Sequence, residues 1–454
     1  MTLDHIVRRF VCGLALLGAV AGVAAGPSAG AADPPAKAPV IDRDFPDPDI
    51  VETGGTYHAY ATNDSVKNIQ HATSRDLRHW TVDEGDVLPE LGAWAVPNPR
   101  RVWAPEVFRH GGGYTMHYTA HDRASGRQCI GVARSATPGG PFRPVGAGPL
   151  ICPAAEGGAI DASSYAEAGR RYVLWKNDGN CCDLRKDTWL HLQPVSWDGT
   201  RTLGEPVRLI KQDREWEGPL IEAPTLVKRH GHYLLFYSAD FYAGDGYKTS
   251  YAVARDLTGP YTKAANPLMT TQTFSGAVRG PGGQDVVTGP DGRDRVVFHG
   301  WSADHRSRPM YIADLGYADG YPVVRGSKVV HQAEHARVRN AVVREAPSAS
   351  GGKAVGRIDH ADSHVEFTVF AASAGEHQLS VWFGNGSLDP AGNAVTASHR
   401  LLVNGADVGA VRYPHTGWDH WREERTTVTL RDGWNTIRLG KGEYFAELDA
   451  VEVG

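Results

Sequence analysis

Three acidic words are placed alike along the chain: Pro46-Asp47-Pro48-Asp49, Gly158-Ala159-Ile160-Asp161-Ala162-Ser163 and Ile221-Glu222-Ala223-Pro224. Asp161 and Glu222 lie 11 residues ahead of the strand landmarks Tyr172 and Tyr233, and Asp47 lies 10 ahead of Tyr57. Asp285 stands 11 ahead of Val296. Carboxyl groups brought to one point can divide acid and base work, one holding a proton while another stays ionised. A single Asp before Pro more often caps a turn. Matched partners at matched spacing favour chemistry for Asp47.

The landmarks themselves say what must gather these groups. Tyr57, Tyr114, Tyr172, Tyr233 and Val296 follow one another at 57, 58, 61 and 63 residues, a five-fold internal repeat. Each sits in an apolar and aromatic strand signal, such as His232-Tyr233-Leu234-Leu235-Phe236-Tyr237. A second signature follows 23 to 28 residues later, for example Gly140-Pro141-Phe142, Ser196-Trp197-Asp198-Gly199 and Gly259-Pro260-Tyr261, and reads as a turn into an outer strand. Helical periodicity is nearly absent. A period near 60 built of strands and turns fits a four-stranded blade, since helical solenoid repeats are shorter and leucine-rich, and unrelated hairpins would keep no period. The expected fold is all-β, a five-bladed β-propeller over residues 41–327, with the carboxylates converging at the top of its channel.

At 454 residues the chain can bury two cores. Its net charge of −5, with no basic run, argues against nucleic acid and membrane as partners. Residues 1–32 read as a secretory signal: Arg8 and Arg9, an apolar stretch from Val11 to Ala25 too short for a stable span, then Ala29-Gly30-Ala31 as cleavage site. Residues 33–40 form a Pro/Ala linker, expected to be disordered. The mature chain would be secreted, with Cys129, Cys152, Cys181 and Cys182 in an oxidising setting. Cys129 and Cys152 flank the outer hairpin of blade two and are expected to be bridged. Cys181 and Cys182 are adjacent, so two free thiols and a vicinal bridge both stay open. No His spacing accompanies the four, which argues against zinc. Residues 328–454 alternate apolar and polar, as in Val365-Glu366-Phe367-Thr368-Val369, between turns such as Asn404-Gly405 and Asp432-Gly433. They read as a β-sandwich.

Five words, one per blade and in order, carry a resemblance: Phe45-Pro46-Asp47-Pro48-Asp49, Trp103-Ala104-Pro105-Glu106-Val107, Gly158-Ala159-Ile160-Asp161-Ala162-Ser163, Trp216-Glu217-Gly218-Pro219-Leu220-Ile221-Glu222-Ala223-Pro224 and Arg308-Pro309-Met310. From about Asp44 to Gly326 the chain resembles glycoside hydrolase family 43, propeller enzymes that trim α-L-arabinofuranosyl and β-D-xylosyl linkages. The resemblance implies an inverting mechanism without a catalytic cofactor. It implies Asp47 as general base, Asp161 as the carboxylate that orients and tunes the acid, Glu222 as general acid, and Arg308 as a sugar contact. An anionic Asp161 would raise the proton affinity of Glu222. Where the family often places a His that helps hold an axial water or ion, this chain reads Gly282-Gly283-Gln284-Asp285, so no central Ca²⁺ is carried over. The tail resembles carbohydrate-binding modules of families 6 and 35 through Gln332-Ala333-Glu334, Trp382-Phe383-Gly384-Asn385-Gly386, Gly433-Trp434-Asn435 and Leu448-Asp449, among others. That implies a structural Ca²⁺ held by Glu334 and Asp449.

Beside the acidic words, Phe45 and Trp103 are read as a sugar platform, and Trp418 and Trp421 as stacking residues of the tail. Glu106 is read as a buried hydrogen-bond partner and His299 as a satisfied inner-strand histidine. The leading function is a secreted, exo-acting α-L-arabinofuranosidase on polysaccharide or oligosaccharide. β-Xylosidase, arabinanase and galactofuranosidase are its rivals, and a catalytically silent sugar-binding propeller is the reading from another class. Intact Asp47, Asp161 and Glu222 argue against silence.

Overall fold

The computed structural model describes residues 38–454 apart from 183, 325–328 and 372. The proposed leader and most of the linker lie outside the described residues. Five four-stranded antiparallel sheets follow one another in the chain, each pairing its strands in sequence order. Their first strands, Asp49–Thr53, Val102–His110, Ala159–Glu167, Ile221–Arg229 and Arg279–Thr288, neighbour one another in a closed ring and line the axis. This is a five-bladed β-propeller. The landmarks Tyr57, Tyr114, Tyr172, Tyr233 and Val296 all fall on second strands, and short outer strands such as Arg143–Pro144 and Thr262–Lys263 follow the turn signatures.

Both faces of each blade are buried, so successive residues of one strand serve different neighbours. In blade four, Leu234 and Phe236 join the core shared with blade five, built with Val296 and Phe298. Tyr233, Leu235 and Tyr237 join the core shared with blade three, with Leu174 and Leu190. The ring closes at blade five through backbone pairing of Val40 and Ile41 with Met310, and Phe45 N–H donates to the Arg308 carbonyl at 3.1 Å. Cys129 and Cys152 are bridged, with Cα atoms 4.8 Å apart. Cys181 and Cys182 form a vicinal disulfide.

From Val330 onward two sheets face each other. One runs Val342–Glu345, Lys353–Gly356, Glu447–Val453, Gly375–Asn385 and Gly417–Leu430, with Val330–Gln332 added on Glu447–Val453. The other runs Arg337–Arg339, His364–Ala371, Gly433–Lys441, Ala397–Val403 and Ala406–Tyr413. Val365, Phe367 and Val369 from one sheet meet Leu379, Val381 and Phe383 from the other in a single core, the period-two burial of a β-sandwich. Among the described residues no helix is long and apolar enough to cross a membrane.

Candidate active site

Each blade begins its inner strand with a residue in the left-handed region: Asp47, Ala104, Asp161, Ala223 and Gly283, with φ of 39° to 59°. The strand pairing is irregular just beyond Trp103, Glu222 and Gly282, where bulges turn the strand tops. This repeated kink aims one position per blade at the axis. It brings Asp47, Asp161 and, one residue earlier in its blade, Glu222 into one pocket of about 280 Å³ together with Trp103, Lys176, Tyr247 and Arg308.

The three carboxyls have different surroundings. Oδ2 of Asp47 accepts a hydrogen bond from Thr62 Oγ1 at 2.6 Å, and its Oδ1 lies 3.7 Å from Arg308 Nη1. Burial works to raise this carboxyl, but the Arg308 guanidinium and then the Thr62 hydroxyl outweigh it and hold Asp47 below the usual carboxylate range. Glu222 accepts from Tyr247 OH at 2.9 Å on Oε1 and faces Lys176 Nζ at 3.1 Å on Oε2. Lys176 is buried and also contacts Asp178 Oδ1 at 3.1 Å. Burial disfavours its charge, yet Glu222, Asp178 and Asp161 raise its proton affinity, so it stays an ammonium. Asp161 accepts the Ala223 N–H at 3.0 Å. Its carboxyl is pushed well up, first by burial and then by Glu222. The sequence placed the effect of this repulsion on Glu222. In the structure Asp161 is pushed up, while Lys176 stands against Glu222.

One carboxylate kept ionised, beside a close carboxyl pair that holds a proton, is the equipment for hydrolysis by acid and base catalysis without a cofactor. Residues 36–322 match the sequence pattern of Glycosyl hydrolases family 43. The chain belongs to this family. The extracellular endo-α-(1→5)-L-arabinanase 1 of Bacillus subtilis is 27% identical over 292 residues, which span 61% of this chain and 86% of that protein. A β-D-galactofuranosidase of Aspergillus niger is 27% identical over 259 residues, 54% of this chain and 69% of that protein. The crystal structure of a thermostable family-43 glycoside hydrolase is 29% identical with a TM-score of 0.57, covering 62% of this chain and 93% of that one.

Not every residue singled out in the sequence reaches the pocket of this family 43 glycosidase. Phe45 is fully buried in the core between blades one and five, with Ile41, Tyr57 and Met310. It offers a sugar no face, because that core encloses its ring. Asp285 reaches the axis, but in a second layer two residues further along the strands, with Asp49 and Glu106. The longer hairpin turn of blade five explains this correction: residues 289–293 separate Thr288 from its partner Asp294, where the other blades turn over two residues, as between Arg229 and His232. In that layer Asp49 accepts the Val107 N–H at 2.8 Å and Asp285 the Ile50 N–H at 3.0 Å. Burial and mutual repulsion push Asp49 well up; burial and Asp285 push Glu106 up to about 7. Asp285 is pushed up by burial to about 6.

His299 departs from the satisfied histidine expected of it. Its Nδ1 accepts the Asp47 N–H at 3.1 Å, while its buried Nε2 has no hydrogen-bond partner among the described residues. Burial lowers its pKa to about 3, so the ring is neutral. The Asp47 N–H assigns the ring proton to Nε2, which leaves an axial cation no lone pair there. His299 therefore does not fit the role of ion ligand. Gly282 and Gly283 explain the Gly-rich word of blade five. A Cβ on Gly282 would come within 2.1 Å of the Tyr247 ring, and one on Gly283 within 2.6 Å of His299. Gln284 braces the strand that bears Glu222, its Nε2 donating to the Ala223 carbonyl at 2.5 Å and its Oε1 accepting from Ser238 Oγ at 2.9 Å. Arg308 is held under the Tyr242 and Trp301 rings, 5.1 and 5.8 Å from their centroids, with its N–H on Asp44 Oδ1 at 2.8 Å. Thr62, Lys176 and Tyr247 were missed by sequence reasoning, and the partners of His299 and Gln284 were not foreseen. Only Lys176, a lysine ending the apolar run Tyr172–Trp175, left a visible signal.

The remaining sites belong to the sandwich. Trp418 is 44% exposed and lies over Gly386, where a Cβ would meet its ring at 2.5 Å. Trp421 packs against Ala346, Ala349 and Ala354 and donates from Nε1 to Ser348 Oγ at 3.1 Å. Asp449 binds the Ser350 backbone and hydroxyl, the latter at 2.8 Å. Glu334 keeps a buried Oε2 without a partner and is pushed up to about 7, first by burial.

Proposed function

We propose that this family 43 enzyme is secreted and removes α-L-arabinofuranosyl residues from polysaccharide by an inverting mechanism. The observation that carries the reading is the single pocket holding Asp47, Asp161 and Glu222 against Arg308 and Lys176. Asp47, kept ionised by Arg308, takes the proton of the attacking water. The Asp161–Glu222 pair shares a proton, which Glu222 delivers to the departing oxygen as substrate displaces its contact with Lys176. Trp103 and Arg308 contact the sugar. The Bacillus subtilis relative named for α-(1→5)-L-arabinan supports arabinose as the sugar, and the Aspergillus niger relative keeps galactofuranose as the alternative. A panel of aryl α-L-arabinofuranoside, β-D-xyloside and β-D-galactofuranoside decides among them. Fastest release from the arabinofuranoside is expected. Release from none would favour a sugar-binding propeller.

The sandwich is proposed as a carbohydrate-binding module. Trp418 and the neighbouring exposed Leu388, Tyr444 and Phe445 supply an apolar surface for sugar rings. The orphaned Glu334 oxygen, the nearby Asp449 and the Gln332 and Ser350 oxygens are hard donors that fit a structural Ca²⁺. Removing residues 328–454 should spare small aryl substrates and weaken action on insoluble polysaccharide, because the module adds avidity and no chemistry. EDTA should lower the sandwich's melting temperature. Loss of small-substrate activity on truncation would make the sandwich a brace.

A further inference from the structure

One wall of the pocket takes no part in the acid and base chemistry. Cys181 lines the pocket of Asp47, Asp161 and Glu222 and is bridged to its neighbour Cys182. The bridge sits on the segment that follows Lys176, and that segment is tied down on two sides. Cys181 N–H donates to the Asp178 carbonyl at 3.0 Å, and Lys186 N–H to the Gly179 carbonyl at 2.9 Å. Asp178 is the residue whose carboxylate holds Lys176. On the other side, Cys181 Sγ lies 3.5 Å from the Gly157 carbonyl oxygen and 3.9 Å from Arg127 Nη1. Gly157 packs so tightly on this segment that a Cβ there would come within 2.1 Å of the Asp178 carbonyl oxygen. The disulfide is thus wedged between the strand start that bears Asp161 and the strand end that bears Lys176.

A disulfide has no hydrogen to donate, and its sulfurs are polarisable and apolar, suited to C–H groups. A bridge between adjacent residues also closes a small ring through their shared peptide, so the wall is rigid before a ligand arrives and little ordering is lost on binding. The pocket's charged groups can engage hydroxyls and the glycosidic oxygen; a sugar also has C–H faces that need an apolar partner. We propose that the Cys181–Cys182 ring is a sugar-binding element that contacts a C–H face of the glycosyl unit at the cleavage point and helps set affinity for it. This rests on the reading of the pocket as the site of glycoside cleavage, and on no particular sugar.

The full-length wild-type chain tests it without mutation. Native protein is exposed to a phosphine reductant with and without a saturating amount of the sugar it releases from the aryl-glycoside panel, and thiol labelling at each cysteine is followed by mass spectrometry. Bound sugar should slow labelling of Cys181 and Cys182 about tenfold and leave the Cys129–Cys152 rate unchanged. Equal rates with and without sugar, or thiols labelled before any reductant is added, would overturn the proposal. In parallel, the folded double variant C181S/C182S should show KM raised about tenfold with kcat and the pH profile retained, the signature of lost ground-state contact. A fall in kcat with an unchanged KM would make the bridge a brace for Lys176 and Glu222 and would equally refute it. The wild-type panel separately decides which sugar is cleaved, so failure of the arabinose reading leaves this test standing.

Discussion

Two layers of carboxyl groups stand two positions apart along the ring of inner strands, sharing only blade one, and their contrast shows what makes buried acids useful. Asp49, Glu106 and Asp285 are buried among one another with backbone donors, and all three are pushed up toward the neutral acid. Above them, Asp47 and Glu222 are also enclosed but have been given cations, Arg308 at 3.7 Å and Lys176 at 3.1 Å. Burial raises every carboxyl, and charge partners and hydrogen bonds decide which one ionises. The upper layer therefore sets an ionised Asp47 beside Asp161, a carboxyl pushed toward the neutral acid, while the lower layer is a set of acids competing to stay neutral.

Substitutions in the two layers should separate them, and the largest effect belongs to Asp47→Asn. Turnover on every substrate should fall by about 10³-fold or more with an unchanged circular dichroism spectrum, because an amide cannot accept the water's proton. Activity of a few per cent in the folded variant would remove Asp47 from the role of base. Glu222→Gln should be nearly as damaging on polysaccharide yet keep substantial rate on a dinitrophenyl glycoside, whose leaving group departs without a proton. Equal losses on both substrates would contradict Glu222 as acid.

A smaller effect is expected at Arg308. Arg308→Met removes the cation that holds Asp47 low, so the base ionises only at higher pH, and the acidic limb of kcat/KM should move up by about one pH unit. A limb that stays in place would mean that the Thr62 hydroxyl suffices. The smallest effect on turnover belongs to the lower layer. Its carboxyls have folded-state pKa values above their unfolded ones, so the stability they contribute is full below about pH 4 and is lost as pH rises through about 6 to 7. Asp285→Asn should flatten that decline, raise the melting temperature at pH 8 by roughly 2–4 °C, and leave kcat nearly unchanged. A large drop in kcat would join the two layers into one functional unit.

The fold was legible because its information is periodic. A blade buried on both faces repeats the same aromatic strand five times, and the alternating burial of Val365, Phe367 and Val369 marks the sandwich in the same direct way. Asp47, Asp161 and Glu222 share that legibility, since equivalent positions of a ring meet at its axis. Residues that arrive from second and third strands have no such mark. Tyr247 reaches Glu222 because Gly282, in the next blade, leaves space for its ring, and His299 meets Asp47 across the ring's closure. Asp285 falls in the lower layer because the longer hairpin turn of blade five adds residues between it and Val296 without adding height. Phe45 adjoins the acidic word in sequence, yet its ring fills the core between blades one and five, and adjacency alone does not tell the two apart.

The segment that pairs Ile41 with Met310 has a temporal consequence. Asp47 belongs to the first blade and Arg308 to the last, so these partners are synthesised at opposite ends of the propeller. A nascent chain, or one cut before blade five, holds Asp47 with neither its guanidinium nor His299 against it. Hydrolytic competence is therefore expected to switch on only when the final blade docks. A circular permutant opened between blades two and three, with the old ends joined, would keep that junction and should remain active.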